Sequence, residues 1–175
     1  LGACRGHYDR YLNYIALALR EWAKYQFLRT GPEKTCCWIA QVPELKKRLP
    51  MDIQLPDMLR REPLGTIGRP ICYNNGPGIL PVAVAIALLY DSAKQTPQQL
   101  RRLAMEAVAL FSGDRMTQLA GAFVATTLAS IFQEPSLPLV RHYSDACQAI
   151  TDQFGQDLAE ANNLSALIDQ AIELT

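Results

Sequence analysis

Residues 71–90, ICYNNGPGILPVAVAIALLY, open on a polar turn and run without a break into a segment that carries no charge until Asp91. Gly76 and Gly78 permit backbone conformations closed to other residues, Asn74 and Asn75 tolerate left-handed turns, and Pro77 fixes its own φ. The spacing therefore predicts a shaped loop. From residue 79 to residue 89 the apolar side chains cover every face, which fits either a helix enclosed by others or a buried strand. The alanines at 83, 85 and 87 disfavour a strand, and Pro81 suits a first helical turn, so a central helix is expected with the rest of the chain packed around it. A glycine-rich loop ahead of a helix whose first amides are unpaired can receive an anion; the plainer expectation is a turn that starts the helix.

The 175 residues suffice for one sizeable core and are read as one domain, residues 1–175, which can belong to a longer chain because the sequence begins at Leu1. Seventeen basic and seventeen acidic residues cancel, and the densest basic run, Lys46-Lys47-Arg48, reads as a solvated helix end. That balance argues against a nucleic-acid partner or an anionic membrane surface. The uncharged stretch of residues 71–90 is interrupted by asparagine, glycine and proline, so no membrane span is expected. Five cysteines form no CxxC pair; reduced, buried thiols in a cytoplasmic protein are the simplest account, with Cys36 and Cys37 as core contacts.

Apolar residues Tyr8, Tyr11, Leu12, Ile15, Leu19, Trp22 and Ala23 recur at three and four, predicting an amphipathic helix over 8–27 that Gly31-Pro32 ends. Prolines at 43, 50, 56, 63 and 70 divide the next segment, leaving room for short helices over 42–49 and 56–61. Thr96-Pro97-Gln98-Gln99 then supplies a capping threonine, a proline at the first helical position and a glutamine three after the cap. The helix it starts turns Leu100, Leu103, Ala104, Ala107, Val108 and Phe111 inward, and Gly113 is expected to end it in a left-handed conformation. Asp114 caps a helix over 115–132 with two largely apolar faces, where Gly121, Ala122, Ala125 and Ala129 admit a close neighbour. Ser136 is expected to cap a further helix, and Asn163 a last one. Six or seven helices without a convincing strand pair predict an all-α multi-helix bundle.

Familiar catalytic constellations do not occur. The GPG segment lacks the third glycine of a dinucleotide fingerprint, no Walker lysine follows it, and there is no GxSxG or HExxH. His7 and His142 are the only imidazoles: His7 has no ligand at metal spacing, and His142 with Asp145 is expected to form a surface hydrogen bond. No Asp-Asp or Asp-x-Asp pair suited to two metal ions is present.

The order of features, NNGPGILPVAVAIALLY followed by LRRLAMEAVALFSGD and TQLAGAFVATTLASIF, resembles the middle of the ADP-ribosylglycohydrolase family. In that family a helix start reads roughly Asn-Gly-x-x-Met-Arg followed by proline, and a helix junction reads roughly Thr-His-Gly-Asp-Pro. Asn75 and Gly76 match the first motif, Gly113 and Asp114 the second, and the likeness covers about residues 71–147. Ile79 and Leu80 stand where the family has Met-Arg, Pro81 comes two residues early, and Phe111-Ser112 replaces Thr-His. Family members hold two magnesium ions through Asp-Asp-Thr/Ser and Asp-x-Asp-Thr/Ser segments and hydrolyse glycosidic bonds of ADP-ribose; neither segment exists here.

The resemblance thus implies a shortened, degenerate member: a non-catalytic all-α domain with the ADP-ribosylglycohydrolase-like fold, serving as a protein-interaction or ligand-binding module. The implied ligand site is Asn74, Asn75, Gly76 and Gly78 with Asp114, no catalytic or metal residue is assigned, and the implied ligand is of ADP-ribose type. A protein partner or a second copy of the chain is expected to associate with it. One alternative is a magnesium-dependent ADP-ribosyl hydrolase whose acidic motifs lie outside these residues; another is a structural subunit of a larger assembly, with a broad exposed apolar patch.

Overall fold

The structure, a computed structural model, describes residues 10–27, 42, 64–73, 75–156 and 159–173, with the side chains of 23–27 excepted. The described residues are helical and contain no strand, as the sequence predicts: α1 (Tyr11–Phe27), a 3-10 turn (Pro77–Ile79), α2 (Pro81–Leu88), α3 (Pro97–Ala109), α4 (Arg115–Gln133), α5 (Leu139–Phe154) and α6 (Ala159–Glu173). No helix among them is long and apolar enough to cross a membrane. The expected short helices over 42–49 and 56–61, the Gly31-Pro32 stop, His7, Asn74, Cys36 and Cys37 lie outside the described residues, apart from Val42, which is half-buried.

The centre of the bundle is α4 rather than α2. It packs against α2, α3, α5 and α6. Its small-residue face makes this possible, since Gly121, Ala122, Ala125 and Ala129 are all buried and let neighbouring backbones approach. A Cβ built on Gly121 would stand 2.5 Å from Cγ2 of Val108, so α3 and α4 close to a distance that an alanine would not fit. Ala83, Ile86 and Ala87 of α2 pack with Leu100 and Ala104 of α3 and with Ala125 and Ala129 of α4. Burial of Ile86 alone contributes about 2–3 kcal/mol of transfer free energy. Met105, Leu119, Ala122 and Ile150 join Ala161 and Leu164 in a second cluster that fastens α5 and α6 to the hairpin of α3 and α4. Phe123 and Tyr143 meet at 5.9 Å between ring centroids, tilted by 45°.

Helix α2 is not enclosed. Its outward residues Val84 and Leu88, with Leu89 beyond its end, are 38%, 66% and 43% exposed. An all-round apolar pattern needs neighbours on all sides, and among the described residues this eight-residue helix packs chiefly on α3 and α4. The loop before it also differs from expectation. Gly76 is extended, with φ −68° and ψ 142°, Gly78 has no positive φ, and a Cβ on Gly78 would meet open space. Neither glycine is required by its backbone angle.

Both predicted caps at the start of α3 and α4 are present. Thr96 accepts from the Gln99 amide at 3.2 Å while the Gln99 side chain accepts from the Thr96 amide at 2.8 Å. Asp114 accepts from the Thr117 amide at 2.7 Å and from its hydroxyl at 2.6 Å. The last two caps fall elsewhere. Helix α5 follows Pro138 with no side-chain cap, because Ser136 as cap would make Leu137 helical immediately before a proline, where the α region is crowded. Helix α6 already begins at Ala159, and Asn163 is an exposed interior residue. Ala161 and Leu164, buried against α4 and α5, make the earlier start worth the small propensity loss at Asn163.

Candidate functional site

The corner between α3 and α4 is tied down by a short polar network. Gly113 donates its amide to the carbonyl of Cys72 at 2.6 Å, and a Cβ at Gly113 would lie 2.1 Å from Cβ of Pro70. Gly113 therefore serves close approach of two backbones, and its φ is not left-handed as the sequence suggested. The amide of Asp114 donates to the hydroxyl of Ser112 at 3.1 Å. Gln118, fully buried, donates from Nε2 to the carbonyl of Ser112 at 2.8 Å, and its Oε1 accepts from Nη1 of Arg115 at 3.1 Å. A buried, satisfied amide thus fixes the guanidinium of Arg115.

Beside that corner lies a crevice of about 700 Å³. One wall is the turn of residues 65–68, closed by reciprocal 3.1 Å hydrogen bonds between the backbones of Thr66 and Arg69 and by a 3.0 Å bond from the Arg69 amide to the Thr66 hydroxyl. Gly65 faces the carbonyl of Ala109 so closely that an added Cβ would come within 2.4 Å of it, which seats the turn on the end of α3. Leu12, Ile67, Met105, Leu110 and Phe154 give the crevice its apolar lining, and Arg102, Glu106, Arg115 and Gln153 its polar groups. Such a volume, mostly apolar with a few convergent polar groups, falls within the range of roughly 300–1,000 Å³ usual for small-molecule sites.

Charge in the crevice is unevenly compensated. Arg102 pairs with Glu106 at 3.0 Å, an i, i+4 contact along α3. Among the described residues Arg115 holds only its hydrogen bond to Gln118 and no carboxylate within 4 Å; the carboxylate of Asp114 is turned to Thr117. Behind Gln153 stands Arg101, 6% exposed, whose Nε donates to Oε1 of Gln153 while Nε2 of Gln153 reaches the carbonyl of Gln98 at 3.2 Å. Burial pulls the Arg101 guanidinium below its usual range, against the smaller opposing pull of Tyr90 and Asp152. Among the described lining residues two guanidiniums, of Arg102 and Arg115, stand against one carboxylate, of Glu106.

The residues singled out in the sequence are placed as follows. Asn75 and Gly78 are exposed, and Gly76 is half-buried. The amides of Leu80 and Ala83 bond to the carbonyls of Pro77 and Leu80 at 3.0 and 2.9 Å, so the turn itself takes up donors that an anion would need. Asp114 caps α4, one residue from the Gly113 bond to Cys72. His142 is 2% exposed and its Nδ1 lies 2.8 Å from Oγ of Ser130, whereas Asp145 pairs with Arg141 at 3.4 Å. The expected surface bond between His142 and Asp145 is replaced because His142 shares the buried stripe of Ala146 and Ile150 and faces α4. Ser130 and His142 sit where α4 ends, the negative end of its dipole, which opposes rather than stabilises a developing oxyanion. Cys72 and Cys147 are free thiols, and burial pushes the Cys147 thiol up, away from the reactive thiolate.

Arg115 was the missed residue. Its signal in the sequence was a cation at the first position of a helix, the end where positive charge is disfavoured by about 0.3–1 kcal/mol, so its presence asks for a role other than helix stability. No group of three or more histidine, cysteine or acidic residues among those described could hold a metal ion. No protein-family model, no curated protein and no solved structure matches this chain.

Proposed function

We propose that this helical domain is a non-catalytic binding module, and that the crevice between the 65–68 turn, α3 and the ends of α4 and α5 is where it holds its ligand. The observation that carries the reading is the crevice itself, about 700 Å³ with an apolar lining and a guanidinium held in place by a buried glutamine. The polar groups around it position and bind: the Asp114 carboxylate is engaged as a cap, and Glu106 is neutralised by Arg102. A resemblance to the ADP-ribosylglycohydrolases, resting on Asn75-Gly76 and Gly113-Asp114, fits an all-α domain of this kind that has lost its metal-binding acids, and it remains part of the proposal.

The test is incubation of the intact protein with an ADP-ribosylated protein and magnesium, with free ADP-ribose as the readout. The reading expects no release above the spontaneous rate. Release that depends on magnesium would overturn it in favour of a hydrolase whose acids lie outside the described residues.

A further inference from the structure

We infer that the crevice takes an amphipathic monoanion, a molecule with one carboxylate and an apolar body, and that Arg115 is the residue that receives the carboxylate. This rests on the reading of the crevice as a ligand site. The first premise is charge. Among the described residues the lining carries Arg102, Arg115 and Glu106; the first and last pair at 3.0 Å, which leaves Arg115 with no carboxylate among those lining residues. One carboxylate balances it, whereas a dianionic phosphate would leave a negative charge beside Glu106.

The second premise is geometry. A guanidinium presents five N–H donors in a planar fork, and Arg115 uses Nη1 on Gln118, leaving the rest of the fork for the planar carboxylate it matches. The bond to Gln118 holds the side chain, since the other end of that amide is anchored on the Ser112 carbonyl inside the core. A receptor ordered before binding loses little side-chain freedom on complexation. The third premise is the apolar remainder of the lining, Leu12, Ile67, Met105, Leu110 and Phe154, which offers a hydrocarbon body contacts that no polar ligand would use. Arg101, buried behind Gln153, donates to Oε1 of Gln153 and so holds that amide at the crevice wall.

The experiment titrates decanoate and decan-1-ol, two probes that differ in the head group alone, into the intact protein by calorimetry. Decanoate is expected to bind, and the alcohol to bind about tenfold more weakly or worse, the loss of a charge-assisted hydrogen-bond pair. Arg115→Gln should lower decanoate affinity to that of the alcohol, while Arg115→Lys keeps the charge and should retain part of it. Circular dichroism of both variants checks that α4 remains folded. Gly68→Trp fills the crevice at a position where a Cβ meets nothing within 4 Å, so it should abolish binding of both probes without disturbing the core. Equal affinity for acid and alcohol, or an unchanged affinity in Arg115→Gln, would overturn the carboxylate assignment and leave the crevice as the site. Undiminished decanoate binding by Gly68→Trp, or no binding of either probe by the unaltered protein, would overturn the crevice reading as well.

Discussion

Val84 and Leu88 project from the outward face of α2, a helix that carries no charged residue, whereas Met105 and Phe154 in the crevice sit with two guanidiniums, a carboxylate and an amide. Both surfaces are apolar, the first exposed and the second recessed, with Met105 buried at its back. Apolar area attracts whatever is apolar, in any orientation; a few fixed polar groups select one ligand and one pose. Support differs too. The outward residues of α2 rest on a helix of eight residues, while Arg115 is held through Gln118 to the Ser112 carbonyl in the core. Order in the polar groups, more than the amount of apolar surface, distinguishes a site from an exposed face.

The largest effect that sharpens this comparison is expected on the buried side of α2. Ile86→Ala should cost about 3–4 kcal/mol in urea unfolding, because the site lies between α3 and α4 and cannot collapse around the lost atoms. A cost below about 1 kcal/mol would mean that α2 is loosely attached and that its two faces do not differ. At the corner that carries Arg115, Asp114→Ala removes the acceptor of the Thr117 amide and hydroxyl and should cost about 1–2 kcal/mol, measured the same way. No change there would show that the corner is held without its cap. The smallest effect is expected from Leu88→Ser, within about 0.5 kcal/mol, since the side chain already faces water. A loss as large as that of Ile86→Ala would show the outward face of α2 to be covered.

Local chemistry was legible in the sequence where it is self-contained. The Thr96-Pro97-Gln98-Gln99 box and the Asp114 cap act within four residues, and both form as read. The small-residue face of α4 was legible for a related reason: glycine and alanine at helical spacing leave room for a neighbour, and Val108 fills it at Gly121. What depended on distant partners was not legible. His142 and Asp145 have helical spacing for a bond, yet Ser130, twelve residues away on another helix, competes successfully for the imidazole. Gly113 looked like a left-handed helix end, but what it answers to is Pro70 and Cys72, which no local pattern brings to it. The crevice was invisible for the same cause. Its walls come from α1, a turn, α3, α4 and α5, which no local pattern brings together.

The most direct measurement is a map of where the ligand contacts the protein, taken as changes in the backbone amide nitrogen–proton spectrum of the intact chain as decanoate is added. The account predicts that the shifts concentrate at Thr66, Gly68, Arg115, Gln118 and Gln153, with Val84 and Leu88 unmoved. Shifts confined to Val84, Leu88 and Leu89 would contradict it, placing binding on the outward side of α2 and leaving the arginines without the role assigned to them.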